Sequence, residues 1–130
     1  MDAPLSWPSL WMRLGGLMVA AVVYLSLMPT PPHPLVFPHG DKLEHAATFA
    51  WLAFWFLQIT PRRALPMAAL LSLGVAIEIA QSFTPTRSAE AADVVADAVG
   101  LLLGAKLAGT RAGRLLALLE SRLSRLRVSI

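Results

Sequence analysis

Four long apolar stretches, near 10–28, 43–59, 64–83 and 91–109, constrain this chain more than any other feature. Each holds about 17 to 20 residues, enough for a helix to cross the hydrocarbon core of a bilayer at roughly 1.5 Å per residue. The connections between them are short and leave no room for a separate soluble domain. In lipid, only a helix satisfies all its backbone groups within one segment. An all-α polytopic membrane protein with four transmembrane helices is therefore expected. Composition agrees. Of the 130 residues, 56% are apolar and 15% charged, which is more apolar surface than a soluble domain of this size can hide. The first stretch has Arg13 as a charged flank, as a signal peptide would. "LMPTPPHP" follows it with no small-x-small cleavage pattern, so a retained anchor is expected. There is no cysteine, which excludes disulfide and thiolate chemistry.

The positive charges supply an orientation. Arg13 stands at the start of the first stretch. Arg62 and Arg63 separate the second from the third. Lys106, Arg111, Arg114, Arg122, Arg125 and Arg127 end or follow the fourth. The positive-inside rule puts both termini and the Arg62 turn in the cytoplasm, with the proline loop and the Arg87 loop outside. The net charge of +3 then reports topology, and no nucleic-acid partner is expected. Trp7 and Trp11 suit the headgroup zone. Residues 1–109 form the transmembrane domain on this reading, and 110–130 a basic amphipathic cytoplasmic tail. Leu115, Leu116, Leu119, Leu123 and Leu126 recur there at helical spacing, with arginines on the other side. Such a helix suits an anionic inner leaflet, with a coiled-coil or solvated tail as the alternative.

With that topology the polar residues sort themselves at the outer surface. Asp41, Lys42 and His45 open the second helix, Glu78 and Gln81 close the third, and Asp93 and Asp97 open the fourth. Asp41 and His45 are four apart and share a helical face. Asp93, Asp97, Gly100 and Gly104 make one small, polar stripe, and "GLLLG" is a GxxxG that lets another helix approach closely. That stripe should face the bundle, and self-association is left open. An ionised side chain at membrane depth costs about 2.5–3.5 kcal/mol on insertion scales, so Glu78 needs a partner. His45 and Arg87 are the expected ones. His33 and His39 read as solvated loop residues, and Glu44 and Glu90 as water-facing or helix-capping groups.

These residues resemble the VanZ-like family of bacterial membrane proteins, whose pattern is D-K-x-x-H, then E-x-x-Q-x-F-x-P-x-R, a following D-x-x-x-N and a glycine-containing helix. The matching positions are Asp41, Lys42, His45, Glu78, Gln81, Phe83, Pro85, Arg87, Asp93 and Gly100. Asp97 stands where the family usually has asparagine. The resemblance covers about half of the chain, residues 41–104. It implies a small multi-helix inner-membrane protein with a cell-envelope role, in a family whose founding member is associated with teicoplanin resistance.

Three readings of the cluster follow. A binding module would hold an anionic lipid or a lipid-linked wall precursor through Asp41, Lys42, Gln81, Arg87 and Asp97. A membrane enzyme would use His45, Glu78 and Asp93 as acid–base groups, in phosphoryl or glycosyl transfer or hydrolysis. A scaffold would use the whole set as an interhelical ion-pair network. His45 and the acids offer ligands for a divalent ion, but without a familiar metal-binding spacing, so neither a metal nor another cofactor is expected.

Overall fold

The computed structural model describes residues 4–29, 38–85 and 89–129. Its elements are α1 (Pro8–Leu27), α2 (Gly40–Leu57), α3 (Ala64–Ser82), α4 (Ala91–Ala108), a 3-10 turn at Arg111–Arg114, and α5 (Leu115–Val128). No strand occurs among the described residues. The first four helices fall within one turn of the apolar stretches. Pro8 opens α1, where its missing N–H costs no hydrogen bond. The chain enters α2 through His39, held in the left-handed region at φ 62°.

Two of the helices, α1 and α3, are long and apolar enough to cross a membrane. The others match them in length but carry more charge: Asp41, Lys42 and Glu44 in α2, Asp93, Asp97 and Lys106 in α4. By length and apolarity, then, two helices of the expected four qualify. The cause is mainly the charged residues in the first turns of α2 and α4, with Lys106 at the far end of α4.

The main interface joins α2 to α4, with α1 and α3 packed around that pair. Phe49, Leu52, Ala53 and Leu57 of α2 meet Leu70 and Ile77 of α3 and Leu101 of α4 in the principal core. The stripe on α4 makes this fit. A Cβ on Gly100 would collide with the Ala46 carbonyl, and one on Gly104 with the Ala50 carbonyl. The GxxxG therefore seats against Ala46 and Ala50 of α2 within the same chain. The surface reverses the pattern of a soluble domain. Leu17, Tyr24, Leu65, Ile79, Val95, Leu102 and Leu103 are exposed, while Glu78, Gln81, Asp93, Asp97 and Glu120 are buried.

A second cluster holds Trp11, Trp55 and Leu116. Trp11 is thus a core residue rather than a headgroup anchor. It meets Trp55 edge-on at 5.9 Å, and its carbonyl accepts a hydrogen bond from Trp55 Nε1 at 3.0 Å. The tail helix closes this end. Glu120 accepts hydrogen bonds from the N–H groups of Ser6 (2.7 Å) and Trp7 (2.8 Å) and from Trp11 Nε1 (2.7 Å). The Leu116 N–H donates to Gln58 Oε1 at 3.0 Å, and Arg127 lies over the Trp7 ring. Arg63, in the turn before α3, donates to the Ala105 carbonyl near the end of α4. Leu118, Leu119, Leu123 and Leu126 of α5 remain exposed.

Candidate functional site

The parallel packing of α2 on α4 decides which charges meet. With Ala46 against Gly100, the side chains that precede them along the two helices face each other. Lys42 lies 2.5 Å from Asp93 Oδ1, and His45 Nδ1 lies 2.9 Å from Asp97 Oδ1. Lys42 also reaches Glu90 Oε2 at 2.6 Å and Asp41 Oδ2 at 2.9 Å. Exposure falls with depth along α4 and its entry, from 50% at the Glu90 side chain to 9% at Asp93 and 2% at Asp97. Three layers result: a solvated rim of Asp41 and Glu90, a middle layer of Lys42 and Asp93, and an inner layer of His45, Glu78 and Asp97.

From α3, Glu78 enters the same space with 7% of its surface exposed. Its Oε2 accepts the Glu90 backbone N–H at 2.9 Å, which ties α3 to the first turn of α4. Its Oε1 is buried and has no hydrogen-bond partner. Asp93 Oδ1 also lacks a well-directed hydrogen bond, but its contact with Lys42 makes it an ion pair. One ligand atom each from His45, Glu78 and Asp93 fall within 4.8 Å of one another. Beside Glu78 a cleft of about 230 Å³ opens between α3 and the entry to α4, lined by Glu78, Ile79, Ser82, Ala89, Glu90 and Ala91.

Most of the residues expected at the site do converge. Asp41, Lys42, His45, Glu78, Asp93 and Asp97 lie at one end of the bundle, in contact or one layer apart. Gln81 does not join them. It is buried, and its Nε2 donates to the Ser26 carbonyl at the end of α1, at 2.8 Å. Arg87, with the proline loop and His33, lies outside the described residues, so the expected pairing of Glu78 with Arg87 has no counterpart here. The other expected partner, His45, turns its Nδ1 to Asp97 instead. Asp41 shares a helical face with His45, yet it pairs with Lys42. Glu90 was expected to face water or cap a helix. It starts α4, and it also bonds Lys42 with its carboxylate and Glu78 with its backbone. Nothing in its local sequence separates it from a plain capping residue; only the meeting of three helices does.

Chemically, the inner layer is an oriented imidazole. In the neutral tautomer that donates Nδ1–H to Asp97, the Nε2 lone pair of His45 faces Asp93, whose Oδ2 lies 3.7 Å away, beyond hydrogen-bond reach. An imidazole fixed this way can act as a base or as a ligand. Lys42 is the only lysine or arginine among the described residues at this end, so the site is acidic overall. The opposite end holds Arg13, Arg62, Arg63, Lys106 and the arginines of α5.

No match was found to a curated protein or to a solved structure. A family model described as VanZ/LLP1 matches residues 9–112, from α1 through α4 and across every charged residue of the cluster. The chain belongs to the VanZ/LLP1 family.

Proposed function

We propose that this protein serves the cell envelope from the bacterial inner membrane. Four helices cross the bilayer, both termini lie in the cytoplasm, and the acid–base site opens outward. One observation carries the reading: ionisable side chains of α2, α3 and α4 converge at one end of a bundle whose sides expose mainly apolar side chains. The strongly basic opposite end supports the orientation. The ligand in this reading is a lipid-linked wall precursor or an anionic lipid headgroup, with Lys42 just below the rim as one basic contact and Arg87 of the sequence motif as the other. Tolerance of a glycopeptide such as teicoplanin is the matching phenotype.

Native mass spectrometry of protein extracted with its own lipids tests this. The expected result is a retained phosphate-bearing lipid that is lost in Lys42→Ala. Protein free of lipid phosphate, or an adduct indifferent to Lys42 and Arg87, overturns it.

A second reading, an enzyme acting on the same material, is favoured by the Asp97–His45 pair, which has the form of an orienter and a general base. His45→Gln separates the two readings. A binding module keeps its adduct and its phenotype, whereas an enzyme keeps its adduct and loses turnover. The purely structural reading is weakened by Glu78 Oε1, buried without a donor when the carboxylate is ionised, an arrangement that is uncommon in native structures.

A further inference from the structure

We propose that His45, Glu78 and Asp93 form a binding site for one divalent transition-metal ion, with Asp97 holding the imidazole in its metal-binding tautomer. This goes beyond the envelope reading and does not depend on it. Metal content is read on the protein alone, whatever lipid it carries.

Four independent features lead here. The first is Glu78 Oε1, a carboxylate oxygen buried in the cluster that, when ionised, has no hydrogen-bond donor and lies beside the Asp93 carboxylate. Leaving such an oxygen unpaired is costly, and a cation among the three side chains removes the cost. The second is distance. His45 Nε2 and Asp93 Oδ2 are 3.7 Å apart, too far for a hydrogen bond. Two ligands each about 2.1 Å from a shared ion, at tetrahedral to trigonal angles, stand roughly 3.4–3.6 Å apart. The Glu78 carboxylate completes the set, with all three ligand atoms inside 4.8 Å. The third is orientation. Asp97 takes the Nδ1 proton at 2.9 Å from deep in the bundle, the arrangement by which carboxylates fix metal-binding histidines. In that neutral tautomer the Nε2 lone pair faces the Asp93 carboxylate, an acceptor facing an acceptor, which a cation between them resolves. The fourth is charge. A divalent ion brings the buried group of Glu78, Asp93, Asp97 and Lys42 to neutrality when His45 is neutral.

The donor set of one imidazole nitrogen and two carboxylate oxygens selects the class. It suits zinc, manganese or ferrous iron better than calcium or magnesium, which prefer oxygen alone, or cuprous copper, which prefers sulfur. Three protein ligands leave a coordination position open, and a cleft lined by Glu78 and the rim residue Glu90 lies beside one of the three.

The test uses the full chain in lipid nanodiscs, stripped with a chelator and reloaded separately with Zn2+, Mn2+ and Ca2+. One equivalent of Zn2+ or Mn2+ should be retained after desalting, with Ca2+ washed out. Glu78→Gln and His45→Gln should each weaken retention at least about 100-fold, and Asp97→Asn about 10- to 100-fold. Glu120→Gln, at the opposite end of the bundle, should leave it unchanged. Failure of the native chain to hold any of these ions stoichiometrically overturns the proposal. So does retention indifferent to His45. If the inner variants do not accumulate, X-ray absorption of the zinc-loaded native chain decides. A shell containing one imidazole is expected, and an all-oxygen shell overturns the site.

Discussion

At the residue scale, Asp97 changes meaning most between sequence and structure. It stands where the family usually has asparagine, and it is the nearly dry partner of His45. Breaking a buried pair by removing one member is strongly destabilising, by about 3–5 kcal/mol, because the other member stays buried and uncompensated. Asp97→Ala should lose about that much stability. Asp41→Ala, at the solvated rim, should lose no more than about 1 kcal/mol. Thermal unfolding in matched detergent compares the two, and equal losses would contradict the layered arrangement. Asp97→Asn keeps an acceptor for Nδ1–H and should lie nearer the native chain. The sequence made His45, Glu78 and Asp93 legible as a set, because their positions follow from helix ends and topology. It did not reveal that Asp97, rather than Asp41, orients His45. Asp41 satisfies the four-residue spacing within one helix, and only the packing of α2 on α4 brings the more distant carboxylate closer.

At the scale of elements, small residues set the register from which the site follows. Gly100 and Gly104 allow α4 to approach α2 at Ala46 and Ala50. Gly104→Val should part the two helices and pull His45 away from Asp97, although residue 104 touches neither. Gly16 in α1 has nothing within 4 Å of where a Cβ would stand. Gly16→Ala should therefore be neutral or stabilising by up to about 1 kcal/mol, the usual helix-propensity difference. Melting curves of the two variants provide the check. Helix positions were readable to within a turn from apolar length alone. The partner of the GxxxG was not, since a glycine stripe on one helix does not say which helix it receives. Ala46 and Ala50, spaced like the glycines, are the signal in α2 that goes with that stripe, and it was not read from the sequence.

At the scale of the whole molecule, the two ends of the bundle divide the chemistry. One carries the acids and the other the bases, with Glu120 as the buried exception at the basic end. Burial pushes the Glu120 carboxyl up. The hydrogen bonds from Ser6, Trp11 and Trp7 outweigh it, so the group lies below the ordinary glutamate range. A carboxyl lowered by folding adds stability above its unfolded value and loses it as pH falls through the folded value. Glu120→Gln should cost about 1.5–3 kcal/mol at neutral pH, the worth of charged hydrogen bonds, and should flatten the acid limb of the stability profile below the carboxylate range. An unchanged acid limb would show that Glu120 does not fasten the tail. The tail's amphipathic helix was legible from its leucine spacing. Its attachment was not, because a contact between residues 6–11 and 120 leaves no local trace. That attachment also bears on biogenesis. The amino end of the first helix reaches its final hydrogen bonds only after residue 120 has left the ribosome, so early insertion must proceed with Ser6, Trp7 and Trp11 still bonded to water or lipid headgroups.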